Sequence, residues 1–389
     1  MSVKILSEVT VIKDEIITNR RIFHKYPELG FEEHRTAKVI AEKLKSYGIE
    51  VKTGVGKTGV IGDLYSKKDG KTIALRADMD ALPVQEISDV SYKSQNEGVM
   101  HACGHDGHMA MLLGAARILS RNKDHLRRNI RFIFQPAEEG KGGARYMIAD
   151  GCLENVDEIY GMHLWNYQPY GEIGVKSGPV MAAADIFDIT VKGIGGHGAA
   201  PQGTVDAIVI ASNLIMSLQT IVSRNTDPLE SIVITVGKIK GGHGFNVIAD
   251  EVRLRGTTRT VTEENRQMIK IRMQEIIDGV AKASGATIKL DYQDGYPPTI
   301  NDENSTQIVK KVASKIAGKG SVEPYLTMGA EDFSFYLQKT PGCFFFIGSA
   351  LPEKELMSVP HHCSHFDIDE RTLLVGTSMF VQLIFDQLN

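Results

Sequence analysis

Apolar positions recur with helical spacing from residue 4 to residue 26, with Arg20 and Arg21 near the end of the run, and the turn-rich loop 24–30 separates this stretch from a second helix beginning near Glu32. Three short runs rich in β-branched and aromatic residues follow, at 72–76, 130–134 and 158–160, and each is predicted to be a strand. Each run leads directly into polar residues: Asp78 and Asp80 after the first, Glu138 and Glu139 after the second, His163 after the third. Helical spacing at 108–120 and 142–150 lies between them. Strand–helix alternation of this kind predicts an α/β main domain with a central, mostly parallel sheet and helices on both faces, its strand ends converging on one site.

The pattern changes between residues 184 and 296. A strand at 185–192, a glycine loop, a helix at 205–223, strands at 232–240 and 251–258, a helix at 263–283 and a strand at 287–292 predict a separate α+β domain of β-α-β-β-α-β order, inserted into the first. The small-residue run 181–184 and the segment 295–299, with Pro297 and Pro298, mark its borders. The main domain is therefore expected to comprise 1–183 and 297–389, with a buried strand at 343–347 and a closing helix at 371–388.

The length of 389 residues exceeds what one core usually supports, in agreement with two domains. A formal net charge of -4 and a pI near 6.3 argue against a nucleic-acid surface, and neither a signal peptide nor a run of about 18 apolar residues is evident. The expectation is a cytoplasmic protein acting on a small molecule. Its four cysteines lack close pairing, which suits a reducing compartment.

Within ten residues, Val99-Met100-His101-Ala102-Cys103-Gly104-His105-Asp106-Gly107-His108 gathers three imidazoles, a thiol and a carboxylate. Glu138-Glu139, His163 and the segment 361–365, with three more histidines, supply further donors. Two cations roughly 3.5–4 Å apart need about that many groups, so the set reads as a dinuclear metal hydrolase. Gly104 allows Cys103 and His105 to turn toward one site, whereas His101 and His108 also fit packing or helix-capping roles. Of the two adjacent glutamates, one can bind metal while the other serves as a general base. His197, flanked by glycines in 193–198, has little core to pack into and is a further candidate. The G-x-G-x-x-G patterns at 54–59 and 193–198 lack the strand–helix context of a nucleotide fingerprint, and no G-x-S-x-G elbow is present.

Arg76-Ala77-Asp78-Met79-Asp80-Ala81-Leu82-Pro83, His101-Ala102-Cys103-Gly104-His105-Asp106, Gln135-Pro136-Ala137-Glu138-Glu139-Gly140 and Gly195-Gly196-His197-Gly198-Ala199-Ala200-Pro201 occur together and in order. On these motifs the chain resembles the metal-dependent amidohydrolase branch of the aminoacylase and carboxypeptidase superfamily, over essentially its full length. The resemblance implies metal ligands at Cys103, His105, Glu139, His163 and His362, with Cys103 bridging, and Glu138 as general base. It implies that Asp80 orients a ligand imidazole from behind, and that the inserted domain is a lid through which a homodimer, or a larger homo-oligomer, forms. From that lid His197 would reach the partner's site and stabilise the oxyanion, while Asn246 and Arg259 hold the substrate carboxylate and Gly329 lines the site. The expected activity is hydrolysis of N-acyl-L-amino acids with two divalent ions, zinc first, with manganese, cobalt and nickel also fitting. Carboxypeptidase action on short or N-blocked peptides is the near alternative. Outside metal-dependent hydrolysis stand a dimeric sensor that binds metal or conjugate, and a thiol hydrolase using Cys103.

Overall fold

A computed structural model of the protein describes residues 3–66, 70–318 and 320–387. The chain divides into two compact units, one comprising Met1–Val180, Ile300–Leu326 and Asp332–Asn389, the other Met181–Thr299 with Thr327–Glu331. Each has its own apolar core. Gly329, which the sequence segmentation puts in the main domain, lies within the second unit.

The first unit is built on an eight-stranded sheet in the spatial order Glu50–Val55, Gly59–Leu64, Asn129–Gln135, Thr72–Asp78, Val156–Pro169, Gly342–Ala350, Ile173–Gly174, Ser321–Val322. The four central strands run parallel; Gly59–Leu64 and Ile173–Gly174 join them antiparallel on either side, Glu50–Val55 pairs antiparallel with the former and Ser321–Val322 parallel with the latter. Their residues are buried almost without interruption, as expected where helices cover a parallel sheet. Helix His105–Arg121 is nearly all buried and packs against Lys13–Lys25 and Thr372–Asp386.

Several sequence expectations shift here. The N-terminal helical run is two helices, Ser7–Val11 and Lys13–Lys25, because Ile12 (φ −107°, ψ 15°) leaves helical geometry while staying buried. The third strand does not end before His163. It runs over Val156–Pro169, and His163 pairs with Phe346 of the parallel neighbour Gly342–Ala350. The apolar run alone underestimates this strand, since the neighbour supplies backbone partners for its polar half.

In the second unit an antiparallel sheet, ordered Ile232–Gly241, Glu251–Thr260, Ala183–Lys192, Thr287–Tyr296, carries helices Ala207–Thr220 and Glu263–Ser284. Local chemistry defines the helix ends. Asp206 accepts from the amides of Ile208 and Val209, Thr262 accepts from that of Asn265, and Gly285 (φ 73°) ends the second helix. Ala207, Ile210, Ala211, Leu214 and Leu218 face the core, yet the segment Ala207–Asn225 reaches a mean hydropathy of 1.4, so the expected absence of any long apolar run does not hold for it. One face is buried in the unit's core, and the apolar surplus lies on the outer face at Ile208, Val209 and Met216.

Candidate metal centre

The ends of the parallel strands collect a buried polar network. Arg76 and Asp78 alternate on one strand, so both project to the same face. Arg76 donates to Asp78 (2.7 Å), Gln135 (2.9 Å) and Asp332 (3.0 Å), and Asp332 in turn accepts from Gln135 and the amide of Ala144. The sequence reading placed Asp78 among the strand-end polar residues and Asp332 in the segment lining the site, but gave Arg76 and Gln135 no individual role, although charged side chains in a strand buried on both faces are themselves a signal.

On this base stand the donors. Cys103, His105 and His163 present one donor atom each within 4.8 Å of one another, as do Cys103, Glu139 and His362, and also His105, Glu138 and Glu139. Gly104 between the first two adopts φ 91°, the left-handed conformation that glycine supplies without strain, and it opens helix His105–Arg121. His362 arrives from a distant loop held by its amide bond to Ala102 O (2.7 Å) and has φ 67°. All five proposed ligands thus fall in overlapping groups, together with Glu138.

Hydrogen bonds decide which imidazole nitrogen is left over. His105 Nδ1 bonds to Asp80 O (2.8 Å), and its buried Nε2 has no hydrogen-bond partner. His163 Nδ1 bonds to Leu164 O (2.5 Å), leaving Nε2 3.5 Å from Cys103 Sγ. Glu139 Oε1 also lacks a hydrogen bond and lies 3.2 Å from His362 Nε2. Buried lone pairs with no donor are costly unless a cation meets them, so the residues fit the implied metal ions. His108 is committed otherwise: Nδ1 bonds to Asp78 (2.6 Å) and Nε2 accepts the amide of Leu164 (2.9 Å). His101 is buried outside these groups, 6.5 Å between ring centroids from His24.

Asp80 does two jobs. Its carbonyl takes the short bond to His105 and its carboxylate, the group expected from the resemblance, stands 3.4 Å from the same nitrogen, while the carboxylate oxygens accept the amides of Glu138 (3.0 Å) and Glu139 (2.9 Å). Glu138 Oε1 accepts the amide of Asp332 at 3.4 Å. Missed by the sequence reading, buried Glu33 accepts the amide of Ala137 (2.9 Å), whose φ of 54° turns the chain into the glutamate pair.

Burial, reinforced by Glu139 and Glu138, pushes the Cys103 thiol well above its ordinary value. A nucleophilic cysteine needs the opposite shift, which counts against the thiol-hydrolase reading. Burial, with His108 and His361 nearby, drives the His163 imidazole down, so it presents a neutral lone pair. For His105 burial opposes protonation, but Asp78 and Asp80 outweigh it and hold the ring up to about 10, so without a cation Nε2 carries a proton, and it would offer a lone pair only as a binding cation displaced that proton.

The other candidates lie in the second unit. His197 pairs with Val247 across a two-stranded ribbon, beside exposed Asn246, whose carbonyl accepts the Gly198 amide (2.8 Å). His197 Nδ1 accepts the amide of Ala199 (3.1 Å), so its proton sits on Nε2 in the exposed loop, ready to donate. Half-buried Arg259 has no hydrogen bond to its guanidinium among the described residues, whereas nearby Asp185 is taken by Arg266, Tyr292 and the Gly295 amide. Gly329 accepts the amide of Ala182 at 2.8 Å.

The sequence model of peptidase family M20/M25/M40 matches residues 74–386. The chain is 44% identical to thermostable carboxypeptidase 1 of Saccharolobus solfataricus, covering 96% of this chain and 95% of that protein. To N-acetyl-L-cysteine deacetylase of Bacillus subtilis it is 41% identical, covering 96% and 88%. A Bacillus subtilis crystal structure described as a dinuclear metal-binding peptidase of the M20 family superposes with a TM-score of 0.87 at 35% identity, covering 97% of this chain and 99% of that one.

Proposed function

This chain belongs to peptidase family M20/M25/M40 and is a metal-dependent hydrolase of amide bonds, and on that footing we propose that it cleaves N-acyl-L-amino acids. The observation that carries the reading is the donor set itself. It holds more lone pairs than one cation uses, with a second carboxylate, Glu138, beside them. Cys103, His105, Glu139, His163 and His362 hold two divalent ions, with zinc the best match to thiolate and imidazole donors. Such ions, when bound, polarise a carbonyl and make water a better nucleophile at neutral pH.

Glu138 takes the proton of the attacking water and passes it to the departing amine nitrogen. His197, through Nε2–H, donates to the oxygen that gains negative charge as the carbonyl is attacked, and it does so in the partner subunit's site. Arg259, a planar fork without a carboxylate of its own, together with Asn246, selects a substrate with a free carboxylate. That selection suits an acyl-amino acid, and a short peptide presents the same carboxylate. The homodimer forms through the second unit, whose helix Ala207–Thr220 exposes Val209 and Met216 and whose strand Ile232–Gly241 is a sheet edge. A cytoplasmic location accords with the four free cysteines.

Glu138→Gln is expected to keep its metal and lose about 10²–10⁴-fold in kcat on a panel of N-acetyl, N-benzoyl and indoleacetyl amino acids and blocked dipeptides. Activity within a few-fold of the unsubstituted protein, at equal metal content, would refute the role. Turnover that persists after full chelation would restore the thiol mechanism.

A further inference from the structure

His361, adjacent in sequence to a proposed ligand, was given no role of its own, and its ring lies against the Cys103 sulfur. Its Nε2 accepts the backbone N–H of Asn166 at 3.2 Å. A nitrogen that accepts cannot carry the ring proton, so that proton is on Nδ1. Nδ1 lies 3.7 Å from Cys103 Sγ. The sulfur also meets His163 Nε2 at 3.5 Å, and the proton of His163 is already given to Leu164 O. The two imidazoles beside the sulfur therefore differ: His163 faces it with a lone pair, His361 with a proton.

The ring of His361 is held in that orientation. Trp165, Tyr167 and Phe366 stand with centroids 5.1, 5.4 and 5.0 Å from it, and the Asn166 amide pins its far edge. Nothing in this arrangement needs His361 to bind metal.

We propose that His361 is a positioning residue that donates an Nδ1–H hydrogen bond to Cys103 Sγ and so tempers how much charge the thiolate gives to a bound cation. The role rests on Cys103 being a ligand, as proposed above. Hydrogen bonds to a coordinating sulfur withdraw electron density from it, and groups behind ligands are typically worth about 10–100-fold in affinity or activity. With less charge from sulfur, the cations keep more of their pull on the substrate carbonyl.

The test uses the full-length protein loaded with cobalt(II), whose thiolate-to-metal charge-transfer band reports the sulfur directly. His361→Phe keeps a planar ring but removes the donor, and its band is expected to move to lower energy, with kcat falling about 10-fold or more. His361→Asn places an amide N–H near the original Nδ1, and its band is expected to stay near the wild-type position. This second variant keeps the question decidable should Phe disturb the loop. A wild-type band that does not move in cobalt-loaded His361→Phe overturns this role alone, as does an Asn variant whose band shifts as far as that of Phe. Stoichiometric cobalt with no thiolate band in the wild type overturns the ligand assignment of Cys103, and this role with it.

Discussion

Glu33 is fully buried, and its carboxylate acts on backbone beside the proposed base. One oxygen accepts the amide of Ala137 and the other the hydroxyl of Thr58 (2.5 Å). Burial raises its pKa to about 7; the Thr58 bond works against the rise, and the charge of Asp80 adds to it. Since the folded chain holds this proton more tightly than the unfolded one, Glu33 favours the fold below about pH 4.5 and loses that contribution as pH climbs through about 7. The span corresponds to roughly 3 kcal/mol. Glu33→Gln, which keeps an oxygen for Ala137, is expected to lessen the decline in stability between those pH values, as measured by urea midpoints across the range. An unchanged pH dependence would show that Glu33 stays ionised in the folded chain.

Gly104 joins two proposed ligands at the start of a helix. A side chain there meets only ordinary contacts with Leu164 and Phe366, so the demand for glycine comes from φ 91° and not from space. Forcing an L-residue into that region costs roughly 1–2 kcal/mol. Gly104→Ala is expected to lower the melting temperature by a few degrees and to reduce the metal retained after dialysis, because relaxing the backbone swings Cys103 away from His105. Wild-type values for both would show that the turn tolerates a side chain. The helices of the second unit show why elements were legible in advance: Ala207–Thr220 has apolar spacing behind the acidic cap Asp206, and Glu263–Ser284 runs from the hydroxyl cap Thr262 to the glycine stop Gly285, whereas His105–Arg121 shows itself by its apolar residues without a side-chain cap. The break at Ile12 and the extension of Val156–Pro169 carry no such local mark.

At the scale of the whole molecule, the proposed reach of His197 into the partner's site makes catalysis depend on the dimer. Mixing His197→Ala with Glu138→Gln, each inactive alone, is expected to recover up to about a quarter of wild-type activity, since half of randomly mixed dimers are hybrid and each hybrid has one complete site. Hybrids are first verified by mass or by differential tags. Inactive hybrids would place His197 in its own subunit's chemistry or outside catalysis altogether. The second unit bears on this outcome, because its exposed Val209 and Met216 and its open strand edge are the apolar surface that pairing would cover.

Sequence alone determined what is written in neighbouring residues: the strand–helix alternation, the β-α-β-β-α-β insertion and a donor set of cysteine, histidines and paired glutamates. Those features depend on spacing and side-chain type, and both survive without coordinates. Tertiary structure decided which atoms of that set remain available. His105 is oriented by the carbonyl of Asp80, His163 and His108 by the backbone of Leu164, and His361 by the amide of Asn166. These partners are backbone groups, which side-chain identity could not announce; the Asp78 carboxylate on the other nitrogen of His108 is the exception. Four histidines, of which the sequence reading had favoured His105 and His163 as ligands, thus become two with a ring nitrogen left for a cation, one bound at both nitrogens and one presenting a proton to sulfur, because an imidazole's chemistry is set by whatever holds its other nitrogen.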